Sequence, residues 1–186
     1  MSRIMIVDDE VGVLNALRRL LTRAPCAYGR LAYSLEVETF ESPLTALDRA
    51  REAAFDLVLS DYHMPRMDGV EFLRQIEQIQ PDAARMILSG CNDINVINQS
   101  ILGANIYGMV PKPWNDYFLM SMIAQALNNR DLLLENRELA AKTPDTRAST
   151  APGAPATPVA AIEWGPDGSM VLKDETAGTA QNKPLS

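Results

Sequence analysis

The stretch "LVLSDYHMPRMDG", Leu57 to Gly69, runs three apolar residues into a lone aspartate and then turns at once through His-Met-Pro. With Phe55 and Asp56 before it, "FDLVLS" reads as a strand buried on both faces, where an ionised carboxylate is costly. That conflict is removed if Asp61 sits just past the strand, displayed at a rim. The useful question is then what other groups arrive at the same rim.

Working outward, four more short apolar runs alternate with helical patterns. "RIMIV" precedes Asp8 and Asp9, and "SLEVETF" alternates with period two before a helix start at Ser42 and Pro43. "ARMIL" precedes Ser89, and "NIYGMV" precedes Pro111 and Lys112. Between them lie amphipathic segments at Val11–Arg23, Pro43–Arg51, Val70–Ile79, Asp93–Leu102 and from Asn115 onward. Strands and helices alternating at these lengths predict an α/β fold, a parallel sheet with helices on both faces. The connection "APCAYGRLAYS" reads as a loop longer than usual.

In such a sheet, ligands bind outside the carboxyl ends of the strands. Asp8, Asp9, Asp61, Ser89 and Lys112 then share one rim. Three uncompensated carboxylates would raise one another's pKa values. A hard divalent cation relieves that repulsion, and Mg²⁺, which keeps several waters, suits so few protein ligands. Lys112 adds a point charge and Ser89 a hydroxyl, a set suited to a phosphoryl group. A carboxylate nucleophile would form an acyl phosphate, and Asp61 is the candidate. Taken singly, each motif has a bland reading: Asp8 and Asp9 as a turn or helix cap, Lys112 as a surface lysine. Their joint occurrence at successive strand ends argues against coincidence.

"IVDDE", "LVLSDYHMPRMDG", "MILSG" and "VPKPW", in this order, resemble the receiver domain of bacterial response regulators over about Arg3 to Asn129. The resemblance implies a doubly wound, flavodoxin-like five-stranded parallel sheet of order 2-1-3-4-5. It implies phosphoryl transfer to Asp61 from a histidine kinase or a small phosphodonor. Asp9, Asp61 and the His63 backbone carbonyl would bind Mg²⁺, with Asp8 acting mainly through water. Ser89 and Lys112 would engage the phosphate, and the Lys112–Pro113 peptide would be cis. The His63 side chain, two residues past Asp61, either tunes phosphate lifetime or is inert. Cys91 is read as a packed thiol rather than a redox sensor, and Trp114 as a packing residue. Receivers usually carry Tyr or Phe three residues before the lysine. Here that position is Met109, with Tyr107 two residues earlier, which puts the aromatic part of the switch in doubt.

Two other classes stay open from sequence: a Mg²⁺-dependent phosphohydrolase using an aspartyl-phosphate, and a receiver that signals unphosphorylated. The hydrolase would be expected to carry a second acid or base close to its nucleophile, as in an Asp-x-Asp pattern; here the residue two after Asp61 is His63.

The rest of the chain is less informative. Net charge is −7 with no long basic run, so a broad nucleic-acid surface is not expected. Cys26 and Cys91 form neither a metal motif nor a disulfide framework, which suits a reducing, cytoplasmic setting. The N-terminal apolar run is too short for a signal peptide. The uncharged stretch Ile94–Pro111 carries too many amides to span a membrane, and suggests hydrogen-bonded or apolar contacts on that face.

The last helical pattern continues through "NNRDLLLENRELAAK", with Met120, Leu127, Leu134 and Ala141 at every seventh position and Leu132 and Leu139 beside them. It predicts a helix extending beyond the domain, over 130–142, as the seam of a homodimer's coiled coil, against the alternative of a helix packing back on its own domain. "KPW" resembles receivers joined by such a helix to cyclases, cyclic-dinucleotide hydrolases or AAA-type activators. Residues 143–186 hold half of the chain's 12 prolines and read as a disordered linker or tail. Within them "IEWGPDGSMVL" could form a small hairpin, which is barely stable alone. Too short for an output domain, this tail suggests either a receiver cut from a longer protein or a single-domain regulator.

Overall fold

The computed structural model describes residues 1–90, 105–142, 162–164 and 170–172. The chain divides into two compact units, Met1–Pro144 and Asp145–Ser186. In the first, the strands are β1 (Ser2–Val7), β2 (Cys26–Tyr28), β3 (Leu31–Tyr33), β4 (Leu35–Phe40), β5 (Leu57–Asp61), β6 (Ala84–Gly90) and β7 (Gly108–Lys112). Its helices are α1 (Val11–Arg23), α2 (Pro43–Glu52), α3 (Gly69–Ile79) and α4 (Asp116–Lys142).

The main sheet runs β4-β1-β5-β6-β7, and every pairing in it is parallel. Leaving aside the small β2–β3 pair, this is the expected order 2-1-3-4-5. Alternation along the strands divides the core in two. Ile4, Ile6, Leu57, Leu59, Met86 and Leu88 meet α1 and α4 on one face. Met5, Val7, Val58 and Ile87 meet α2 and α3 on the other. Period-two side-chain geometry requires this, since both faces of a parallel sheet are covered.

The helix starts follow local chemistry. Pro43 opens α2 with its preset φ, and the Asp68 carboxylate caps α3 by accepting from the Glu71 N–H at 2.8 Å. The expected helix over Asp93–Leu102, and Cys91 with it, lies outside the described residues.

"APCAYGRLAYS" is not a plain loop. Its residues form the antiparallel pair β2–β3, with Tyr28 opposite Leu31 across a two-residue turn. Gly29 stands there at φ +60°, a left-handed conformation that glycine adopts without Cβ strain. Cys26 anchors the pair by packing into the α1–α4 core, 3 % exposed.

Helix α4 is continuous over 27 residues. Its buried contacts end at Leu127, and beyond that point Arg130 and Arg137 reach the domain through Asp56 and Asp82. The heptad read from Met120 and Leu127 is corrected here: both residues are buried in the domain's own core, at 6 % and 1 % exposure. Leu132 and Leu139, by contrast, stay half exposed.

In the second unit, β8 (Ile162–Trp164) and β9 (Met170–Leu172) pair antiparallel, with Ile162 opposite Leu172 and Trp164 opposite Met170. The two strands expected for a small hairpin therefore pair, where the tail as a whole reads as disordered from composition.

Candidate functional site

Asp61 is the last residue of β5, not the residue just past it. It pairs with Leu88 of β6, and the ladder runs one step further, the Tyr62 N–H donating to the Leu88 carbonyl at 2.9 Å. The side chain is therefore almost wholly buried. What offsets the cost of burying it is a cation: Lys112 Nζ lies 2.6 Å from Asp61 Oδ1.

The same ammonium lies 2.7 Å from Asp8 Oδ2. Asp8 is fully buried at the end of β1, and its Oδ1 accepts from the Glu10 N–H at 2.9 Å. Burial pushes the Asp8 carboxyl above its ordinary range, and the Lys112 and Glu10 hydrogen bonds only partly oppose this. For Lys112, burial works to lower the pKa, but hydrogen bonds to Asp61 and Asp8 outweigh it and the net shift is upward. The lysine therefore stays charged while it bridges the two acids.

Asp9 is exposed beside them, and carboxylate oxygens of Asp8, Asp9 and Asp61 lie within 4.8 Å of one another. Three acids facing one ammonium leave the rim with surplus negative charge. An all-oxygen donor set with that surplus fits a hard divalent cation. Ser89, the penultimate residue of β6, is buried, and its hydroxyl donates to the Gly90 carbonyl at 3.1 Å. Adjacent register places Ser89 opposite Pro111 and Gly90 opposite Lys112. The five rim residues expected from sequence thus end up on one edge of the sheet.

The remaining predicted residues are placed as follows. His63 is exposed, its ring edge-on to Tyr62 at 4.7 Å between centroids. The Lys112–Pro113 peptide is cis, as the resemblance implied. Trp114 packs against the α1–α4 core. Met109 packs, half-buried, on the opposite face with α2 and α3. Tyr107 precedes β7, so the length of that strand, about 16 Å at its rise per residue, separates it from Lys112. Its N–H donates to the Arg85 carbonyl and its ring is 37 % exposed. Tyr107 therefore sits at the end of the sheet away from the acids.

One residue of the site was quoted in the sequence but given no role. A Cβ built on Gly69 would stand 2.1 Å from the Asp61 backbone oxygen and 3.1 Å from Tyr62 Cα. Only glycine lets the first turn of α3 lie against the end of β5, where the Gly69 N–H donates to the Tyr62 carbonyl at 2.8 Å. The signal was the Asp-Gly pair standing between a buried strand and an amphipathic helix.

The family model described as the response regulator receiver domain matches residues 4–124. The hydrogenase transcriptional regulatory protein HoxA of Bradyrhizobium diazoefficiens is 31 % identical over 124 residues, covering 67 % of this chain and 24 % of HoxA. The transcriptional regulatory protein CpxR homolog of Haemophilus influenzae is 31 % identical over 127 residues, covering 68 % of this chain and 51 % of the relative. This chain thus spans between a quarter and a half of the length of these relatives. Among solved structures, an adenylate cyclase from Rhodopirellula baltica superposes with a TM-score of 0.67 at 26 % identity, over 76 % of this chain and 98 % of that one. The matched segment begins in β1, ends within α4 and contains every acid of the rim as well as Ser89 and Lys112: the chain belongs to the response regulator receiver domain family and is a phosphorylation-switched module of two-component signalling.

Proposed function

We propose that Asp61 is the phosphoacceptor, and that the donor is the phosphohistidine of a histidine kinase or a small phosphodonor. One observation carries the reading: a single half-buried ammonium, Lys112 Nζ, contacts Asp61 and Asp8 together at 2.6 and 2.7 Å. An Asp61 carboxylate oxygen attacks phosphorus, the bond to the imidazole nitrogen or the donor's oxygen breaks, and the leaving group takes that electron pair. The product is an acyl phosphate on Asp61. Lys112 then turns from a carboxylate to a phosphoryl oxygen, and the Ser89 hydroxyl donates to another. Asp9, Asp61 and the His63 carbonyl would hold Mg²⁺, with Asp8 contributing through water. The bound ion would supply positive charge to the phosphoryl oxygens.

Beyond forming and losing its own aspartyl phosphate, the chain catalyses no turnover. It works in the cytoplasm, receives its signal from a cognate kinase and forms a homodimer through α4. Among the described residues no helix is long and apolar enough to cross a membrane.

Incubation with acetyl phosphate and Mg²⁺ tests the reading. A single, acid-stable and base-labile phosphoryl group per chain, accumulating and then decaying, is the expected result. Sustained multiple turnover of unrelated phosphate esters would instead identify a phosphohydrolase.

A further inference from the structure

A cleft lies at the end of the main sheet away from the acid rim, against the part of α4 that runs on past its last buried contact at Leu127. The turn before β6 and the residues before β7 line one side, and residues 129–137 of α4 line the other. Its volume is about 470 Å³, a size that suits one small molecule.

Two kinds of surface meet there. Pro81, Ala83, Ile106, Tyr107, Leu133 and Leu134 are apolar. Leu133 is 52 % exposed, and with Tyr107 it leaves apolar surface open to an incoming group. Arg85, Arg130 and Arg137 bring guanidiniums, and Glu77 and Asp82 bring carboxylates.

The three arginines differ in how they are engaged. Arg85 is buried, its Nη1 donating to the Ala83 carbonyl at 2.9 Å and its Nη2 lying 3.6 Å from Glu77 Oε1. It shapes the cleft from within. Arg130 meets Asp56 and Asp131 through its terminal nitrogens, at 2.8 and 3.0 Å, and donates from Nε to the Asp82 carbonyl at 3.1 Å. Arg137 is exposed and pairs with the Asp82 carboxylate through Nη1. Among the described residues, that contact leaves Nε and Nη2, the second donor edge of the planar fork, for another carboxylate.

We propose that this cleft binds a small hydrophobic monocarboxylate, its head group on the Nε–Nη2 edge of Arg137 and its apolar body against Leu133, Leu134 and Tyr107.

The lining selects that class. Asp82 already shows a carboxylate on Arg137, and its grip holds the guanidinium in place for a second one. A cation is disfavoured because both acids are paired: Asp82 with Arg137, and Glu77 with Arg85 and with Asn105 Nδ2 at 2.5 Å. A dianion such as a phosphate monoester would meet the repulsion of those same acids, whereas one negative charge needs only one guanidinium. An exposed ion pair contributes little by itself. The apolar contacts therefore supply most of the affinity, and Arg137 selects the head group.

The test titrates the full chain with octanoate, with octanamide as its uncharged match and inorganic phosphate as an anion without an apolar body. Binding is followed by calorimetry and by amide NMR. Octanoate should saturate a single site and shift the amides of Ala83, Tyr107 and Leu134. Octanamide should bind about tenfold more weakly, the loss expected for one charge-assisted hydrogen bond, and phosphate should leave those amides unmoved. Arg137→Gln should bind acid and amide alike. Leu133→Asp keeps the Arg137–Asp82 pair but sets a charge against the ligand, and should lose octanoate binding. Both positions are exposed, and circular dichroism checks that both variants fold. Equal wild-type affinity for acid and amide would overturn the proposal, as would an acid preference kept by folded Arg137→Gln. Octanoate binding kept by folded Leu133→Asp, shifts confined to other parts of the chain, or no saturable binding would do the same.

Discussion

Asp61 and Lys112 show how a buried site can be charged without being unstable. An ionised carboxylate in a strand end is expensive unless paired, and the pairing here comes from a residue two strands away across the sheet. Breaking such a pair by removing one partner strands the other charge, which makes the rim sensitive to backbone displacement as well as to side-chain loss. Gly69 governs that displacement. Gly69→Ala must push α3 off the Asp61 carbonyl, since the intruding atom meets backbone and not a flexible side chain. Overpacking of this kind costs on the order of 1–3 kcal/mol. The variant is expected to melt several degrees lower and to take up phosphoryl groups more slowly from acetyl phosphate. Wild-type uptake with a lowered melting temperature would show that Gly69 matters to packing alone.

At the scale of elements, the edge strand β4 is tied down by charge. Glu38 accepts from Arg49 Nε at 2.9 Å and also from Arg3 of β1. Hydrogen bonding from Arg49 holds the Glu38 carboxyl below its ordinary range, with burial opposing and Arg3 assisting. A lowered folded-state pKa contributes stability above the unfolded value of 4.5, and that contribution is lost as pH falls through the folded value. Glu38→Gln is therefore expected to lower the melting temperature by a few degrees at neutral pH. The gap from wild type should close as the pH drops below that range. A gap that persists unchanged in acid would mean that Glu38 acts through packing and not charge.

Most of this layer was legible in the sequence because periodicity and punctuation agreed. Alternation in "LEVETF" and the apolar run "LVLS" each met a clear helix start within a few residues. Two features were not legible. The β2–β3 pair is only three residues a side and lacks a continuous apolar face, so its one local signal was Tyr-Gly-Arg-Leu. In α4, heptad spacing fitted Met120, Leu127, Leu134 and Ala141, but spacing alone cannot say which side a domain already occupies. The rim was legible because a parallel sheet sends every strand's carboxyl end to the same edge. Gly69's role was not, since it depends on a backbone contact between segments.

For the whole molecule, function depends on an acid rim at one edge of the sheet and a long helix whose outer side is open. The two compact units separate near Pro144, so the first should fold without the second. Truncation after Lys142 is expected to leave the melting temperature unchanged. Truncation after Asn129 removes Arg130 and Arg137, and with them the ties to Asp56 and Asp82, and should lower both melting temperature and dimer content. Equal melting of all three chains by calorimetry would show that these ties add nothing to stability. The central claim is chemical and concerns one atom pair, Asp61 Oδ1 and Lys112 Nζ. Intact-mass spectrometry of wild type and Asp61→Asn after acetyl phosphate and Mg²⁺ treatment tests it most directly. The wild type should gain one phosphoryl group and the variant, equally folded by circular dichroism, none. A folded Asp61→Asn chain that gains the same mass would place the phosphoacceptor elsewhere.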